Sequence, residues 1–117
     1  MVAQIIELPS DGDVDLAVGM LRLLGEPTRL RIVWALLQGE QSVNELAQVA
    51  GVSAAVASQH LAKLRLARLV RSRREGTRIY YAVDDEHVRG LLEAAVVHVA
   101  HRGPPATTSS RRPRARR

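Results

Sequence analysis

Three of the four histidines in this chain fall within one short stretch, DDEHVRGLLEAAVVHVAH, residues 84–101. They are His87, His98 and His101, and Asp85 stands two residues before the first. Imidazole and carboxylate are good donors for borderline divalent cations, and four of them make a tetrahedral site. His98 and His101 are three residues apart, so on a helix they share a face and can reach one ion. Asp85 and His87 can pair at the start of the same helix. From His87 to His98, however, is 11 residues. On a helix that is about 16 Å along the axis, whereas one ion needs its donors within about 2.2 Å. A single straight helix cannot close this site.

Two copies packed antiparallel can. The Asp85/His87 end of one helix then lies beside the His98/His101 end of its partner, and two-fold symmetry makes two identical sites from one contact. Between the pairs, Val88, Leu91, Leu92, Ala95 and Val96 offer the apolar seam that such a dimer needs. The spacing therefore predicts a metal held between subunits of a homodimer.

The elements that must position these residues can be read along the chain. Residues 1–12 read as an irregular arm, and an amphipathic helix follows from Asp13 to Leu24, capped by Asp11 or Asp13 and stopped by Gly25. Glu26-Pro27-Thr28 starts a second helix whose inward positions are Leu30, Val33, Trp34 and Leu37, with Gly39 at its end. Ser42 and Glu45 fit a capping box for a short helix over 42–50. Gly51-Val52 makes the turn, and Ser53 caps a longer helix to about Ala67, with Val56, His60, Leu61, Leu64, Leu66 and Ala67 on its inner side. At Leu69 the period changes to alternation, LVRSRR then TRIYYAV, joined at Glu75-Gly76 as a β-hairpin. The last helix runs from about Asp84 to His101. Gly103-Pro104-Pro105 breaks it, and residues 102–117 read as a basic, disordered tail. The fold class this predicts is mainly α with a small β-hairpin, a homodimeric winged helix-turn-helix, with its domain over residues 13–101.

Charge supports that architecture. The chain carries a net +5, and six arginines lie in residues 102–117, leaving 11 basic against 12 acidic side chains before them. Seven of those 11 fall between Lys63 and Arg78, opposed there only by Glu75. A neutral body with one basic stretch suits a polyanion on one face. On the longer helix Ser53, Ala54, Ala55, Ser58, Gln59, His60 and Lys63 are the candidates for the major groove. Gln59 can pair bidentately with adenine, Ser58 can meet a base or a phosphate, and the alanines let the backbone lie close. His60 suits packing or a phosphate better than base readout. Arg71, Arg73, Arg74 and Arg78 on the hairpin suit phosphate neutralisation. Double-stranded operator DNA is the expected partner.

Other classes are disfavoured. There is no cysteine, which removes disulfides and thiolate metal sites. No HExxH and no nucleophile paired with a base occur, so neither an enzyme nor a small organic substrate is expected. No run of 18 apolar residues and no signal peptide is seen, so no membrane is expected as a partner and the chain reads as cytoplasmic.

Over roughly residues 14–101 the chain resembles the ArsR/SmtB family of winged-helix metal-sensing repressors. The residues that carry the resemblance are LLGEPTRLRIVWALLQG, SVNELAQVAGVSAAVASQHLAKLRLARLV, RREGTRIYYAV and DDEHVRGLLEAAVVHVAH. The resemblance implies that Asp85 and His87 of one subunit and His98 and His101 of the other are metal ligands. It implies an apo dimer on its operator, released by metal to express an efflux or storage gene. The family's other common site needs a Cys motif where this chain reads SVNEL, so that site is absent. Four N/O donors favour zinc. Nickel or cobalt would need further ligands, for which Asp11, Asp13 and Asp15 are available, and a metal-independent regulator of the same family is the remaining alternative.

Overall fold

The structure, a computed structural model, describes residues 6–102. It divides after Asp84 into two compact units, residues 1–84 and 85–117. The last helix belongs to the second unit.

In the first unit, α1 spans Asp11–Leu24. Its cap is Ser10, whose hydroxyl accepts from the Asp13 amide at 3.1 Å. This corrects the expected Asp11 or Asp13 cap and ends the arm two residues early. Both aspartates instead sit in the first turn, where they favour the helix dipole. Gly25 ends the helix, its amide donating to the carbonyls of Leu21 and Arg22.

Helix α2, Pro27–Leu36, begins with Glu26 as cap and proline at the first position, where the missing N–H costs nothing. It ends before Gly39 because the last residues tighten into three-residue turns, Gln38 to Ala35 and Gly39 to Leu36. Its fully buried face is Ile32, Val33, Ala35 and Leu36. Leu30 and Trp34, expected inside, are only half-buried.

The short helix α3, Val43–Ala50, carries the capping box as read, with Ser42 and Glu45 bonding each other's amides. Gly51 closes it at φ 72°, a left-handed position that lets Val52 donate back to Ala47. Helix α4, Ala54–Leu66, follows with Ser53 as cap. Its inward stripe is Ala57, Leu61 and Leu64, at spacings of four and three. Val56, Leu66 and Ala67 were expected on that side but are exposed, Leu66 at 87%. The stripe follows the helical period through the smaller Ala57, not the larger Val56 beside it.

Arg68 takes φ 61°, and the next amide, Leu69, donates back to Leu64. That left-handed residue turns the chain out of α4 into the wing. Strand β2, Val70–Glu75, pairs antiparallel with β3, Arg78–Val83, in the register Val70↔Val83 to Glu75↔Arg78. The hairpin turn is thus Gly76-Thr77, one residue later than expected, with Gly76 at φ 64° supplying the reversed twist. A two-residue strand β1, Gln41–Ser42, pairs with the far edge of β3, giving the order β1-β3-β2. The architecture is mainly helical with this small antiparallel sheet, a winged helix-turn-helix.

The second unit is one helix, α5, Glu86–Arg102. It begins two residues after Asp84 because Asp85 acts as its cap, Oδ1 accepting from the amides of His87 at 2.8 Å and Val88 at 3.2 Å. Arg102, assigned above to the tail, is helical; residues 103–117, with the expected Gly-Pro-Pro break, lie outside the described residues. No helix among the described residues is long and apolar enough to cross a membrane.

Candidate nucleic-acid interface and metal centre

Six of the seven candidate residues on and before α4, namely Ser53, Ala54, Ala55, Ser58, Gln59 and Lys63, are exposed. Ala57, Leu61 and Leu64 on the opposite side hold the helix down, so this face is presented by the packing itself. Ser53 is already engaged, its hydroxyl accepting from the Val56 amide at 3.1 Å. It can still donate outward, but its first task is to start the helix.

His60 differs from the other six. It is half-buried, and its Nδ1 lies 3.2 Å from Nη1 of Arg29 on α2. The same guanidinium donates through Nε to the Leu23 carbonyl at 2.7 Å, and the Arg29 amide donates to Glu26 Oε1 at 2.8 Å. That amide bond, with the nearby Arg29 charge helping, holds the Glu26 carboxyl below its ordinary range against a partial desolvation. Arg29 was not singled out from sequence. Its partner is 31 residues away, and no local pattern pairs them.

The wing arginines split into two kinds. Arg71 donates through Nη1 to the carbonyls of Val83 and Asp84 at 2.7 and 2.9 Å. Arg73 meets both oxygens of Glu40, adds Glu75 at 2.8 Å, and lies 4.9 Å from the centre of the Tyr80 ring. The Arg73 bond also lowers the Glu40 pKa. By contrast, Arg74 and Arg78 are exposed, and their side chains have no hydrogen bond or ion pair among the described residues. Those two are the cations on the wing with nothing else to hold.

On α5, Asp85 and His87 stand together, Oδ1 to Nδ1 3.6 Å, with the His87 side chain 98% exposed. Oδ1 of Asp85 is occupied by the two amides it caps, which leaves Oδ2 for any other ligand. His98 and His101 are exposed further along the same helix. Eleven residues is close to three full turns, so His87 and His98 lie on nearly one line of the helix. Within one chain the described residues bring no three potential ligands together. The donor set is thus present as two exposed halves, each of a chemistry that suits a borderline divalent cation. Val88 and Leu92, named above for a dimer seam, are 6% and 2% exposed, whereas Val96, Val97 and Val99 are open at 37%, 48% and 60%. Val96, from the same expected seam, and Val97 and Val99 beyond it are thus the large apolar side chains of α5 that are exposed.

A family model described as bacterial regulatory protein, arsR family, matches residues 26–72. The HTH-type transcriptional regulator KmtR of Mycobacterium tuberculosis is 52% identical over 97 residues, covering 83% of this chain and 74% of that protein. A cadmium resistance transcriptional regulatory protein, the CadC homolog of Staphylococcus aureus, is 37% identical over 93 residues, or 79% of this chain and 76% of that one. Among solved structures, the homodimeric winged helix-turn-helix DNA-binding domain of Mb0332 from Mycobacterium bovis superposes with a TM-score of 0.74. It is 32% identical, and the match covers 83% of this chain and 93% of that chain.

Proposed function

We propose, from the premise that this chain belongs to the arsR family of bacterial regulatory proteins, that it is a zinc-responsive transcriptional repressor. Its apo homodimer holds operator DNA through α4 and the wing, and zinc bound between the two α5 helices releases it. The observation that carries this reading is the divided donor set. Asp85 and His87 stand 3.6 Å apart at one end of α5, His98 and His101 are exposed at the other, and neither half is a site alone.

Asp85 and His87 of one subunit with His98 and His101 of the other would hold the ion, which would supply a cross-link between subunits and no redox chemistry. The protein's own residues do the rest. Asp85 holds the start of α5 with one oxygen and keeps the other for the ion. The histidines of the partner helix complete the set, and the exposed valines at 96, 97 and 99 bury apolar surface when the helices meet. An ion that favours one spacing of the two α4 helices opposes any other spacing that the DNA requires. By linkage, zinc weakens DNA binding by the factor by which DNA weakens zinc binding. A homodimeric neighbour of the same fold and a relative named for cadmium resistance support the dimer and the metal class. Relief of repression then serves a gene for metal efflux or storage.

The test is fluorescence anisotropy with a labelled duplex taken from immediately upstream of the chain's own gene. Zinc should weaken binding at least about tenfold, a coupling in the usual allosteric range. His98→Gln should bind the duplex as the wild type does and no longer respond to zinc. Normal zinc release from that variant contradicts the ligand set. A wild-type dimer that ignores zinc but releases with nickel or cobalt moves the proposal to those metals.

A further inference from the structure

Arg29 joins three helices from a position outside the groove-facing surface. Its Nε donates to the last turn of α1 at Leu23, its amide ties it to the Glu26 cap of α2, and Nη1 reaches His60 on α4. A guanidinium has only donors, so Nδ1 of His60 must be the acceptor in this bond. In the neutral ring the proton then sits on Nε2. The ring is half-exposed, and with Nδ1 turned to Arg29 the nitrogen at its opposite corner is the one left for an outside acceptor. Nε2 has no hydrogen-bond partner among the described residues. Its neighbours Gln59 and Lys63 are exposed on the same helix.

We propose that Arg29 is a positioning residue for DNA binding: it fixes His60 as the Nε2–H tautomer so that this N–H donates to a backbone phosphate oxygen beside α4. This rests on the reading of α4 as the DNA-facing helix. A neutral donor to a phosphate differs from a lysine or arginine in one measurable way. It adds affinity without displacing a counterion, so it does not contribute to the salt slope.

The experiment has two parts. Nitrogen-15 correlation spectra of the free protein, at a pH where imidazole is neutral, should show the His60 ring protonated at Nε2. Arg29→Lys, which cannot serve Leu23 and His60 together, should give a tautomer mixture. Binding to the upstream duplex is then measured against salt. His60→Asn keeps an acceptor where Nδ1 was but has no donor at Nε2. It should bind about tenfold more weakly, the loss of one hydrogen bond to a charged group, with the salt slope unchanged. His60→Gln returns an N–H near the Nε2 position and should recover part of that loss. Arg29→Lys should weaken binding in the wild-type background and have no further effect in His60→Asn. A ring protonated at Nδ1 in the wild type overturns the proposal, as does His60→Asn binding like wild type. If the wild type itself shows no salt-dependent binding to the duplex, the DNA-facing role of α4 falls, and this proposal with it. If wild type binds and His60→Asn is unaffected, only the present inference falls.

Discussion

Arg73 on β2 and Glu40 ahead of β1 meet through two hydrogen bonds, Nε to Oε2 at 2.8 Å and Nη2 to Oε1 at 2.7 Å. This fork-to-fork pairing is the geometry in which arginine holds a carboxylate best. With Glu75 on the remaining nitrogen and Tyr80 beneath the guanidinium, Arg73 ties the wing to the chain segment leading into the sheet. The pair is exposed enough that its gain in stability is small. Its consequence is for the assignment of cations: under the proposed DNA-binding role, the wing would reach DNA with Arg74 and Arg78, not with all four arginines.

That assignment predicts the salt dependence of binding. Arg74→Gln and Arg78→Gln should each lower the slope of log affinity against log salt by about 1, one phosphate contact apiece. Arg73→Gln should leave the slope unchanged and speed hydrogen exchange of the β2 amides. A slope reduced by Arg73→Gln as much as by Arg78→Gln contradicts the division.

A second prediction concerns acid stability. The Glu26 carboxyl is held below its ordinary pKa in the folded protein, first by the Arg29 amide. A depressed carboxylate contributes stability that is present above its unfolded pKa, about 4.3, and lost as pH falls through the folded value. Urea midpoints of wild type and Glu26→Gln should therefore differ most at neutral pH and converge under acid. A difference that stays constant with pH shows that the effect is not the carboxylate's charge.

Arg68 offers a test of backbone strain. It holds φ 61° at the end of α4, where a side chain costs about 1–2 kcal/mol. Glycine there relieves the strain and loses about 0.5–1 kcal/mol of chain entropy. Arg68→Gly should leave stability unchanged or raise it by up to about 1 kcal/mol, read as a shifted urea midpoint at constant m. A clear loss of stability would mean that the Arg68 side chain holds something that its exposure does not suggest.

Much of this fold was legible because its helix ends are written in side chains. The Ser42/Glu45 box, the Pro27 start and the glycines at 25 and 51 all stand where their residue types say they should. On α4, Val56, His60 and Leu64 recur at helical spacings just as Ala57, Leu61 and Leu64 do, so period alone does not select the buried stripe; packing does. Strand β1 left no pattern, since two residues become a strand only by pairing with β3. The Arg29–His60 bond and the Arg73–Glu40 pair are long-range, and spacing along a chain carries no trace of them. For the proposed metal ligands, spacing alone argues that one helix cannot close a site, and among the described residues of one chain no three potential ligands come together. Periodicity could not distinguish the buried Val88 and Leu92 from the exposed Val96, Val97 and Val99 on the same helix.

The capping role of Asp85 and its proposed ligand role can be separated by substitution. Asparagine caps a helix about as well as aspartate, whereas alanine loses about 1 kcal/mol. Asp85→Asn should keep the amide bonds at the start of α5 and lose zinc affinity with the carboxylate charge. Asp85→Ala should lose both the cap and the affinity. Undiminished zinc binding by Asp85→Asn, measured by competition with a chelating dye, would remove Asp85 from the ligand set.

The most direct test of a metal shared between subunits is a cobalt(II) titration of the purified metal-free protein, followed in the visible spectrum. Intense tetrahedral bands should grow to one ion per protomer, bleach on addition of zinc, and be absent from His98→Gln. Mixing His87→Gln with His98→Gln subunits in equal amounts should restore them at about a quarter of all sites, since about half of the dimers are then mixed and one of the two sites in each mixed dimer has all four donors. Weak octahedral bands would contradict the four-donor zinc site, and failure of the mixed dimer to recover any band would contradict a site built across the subunits.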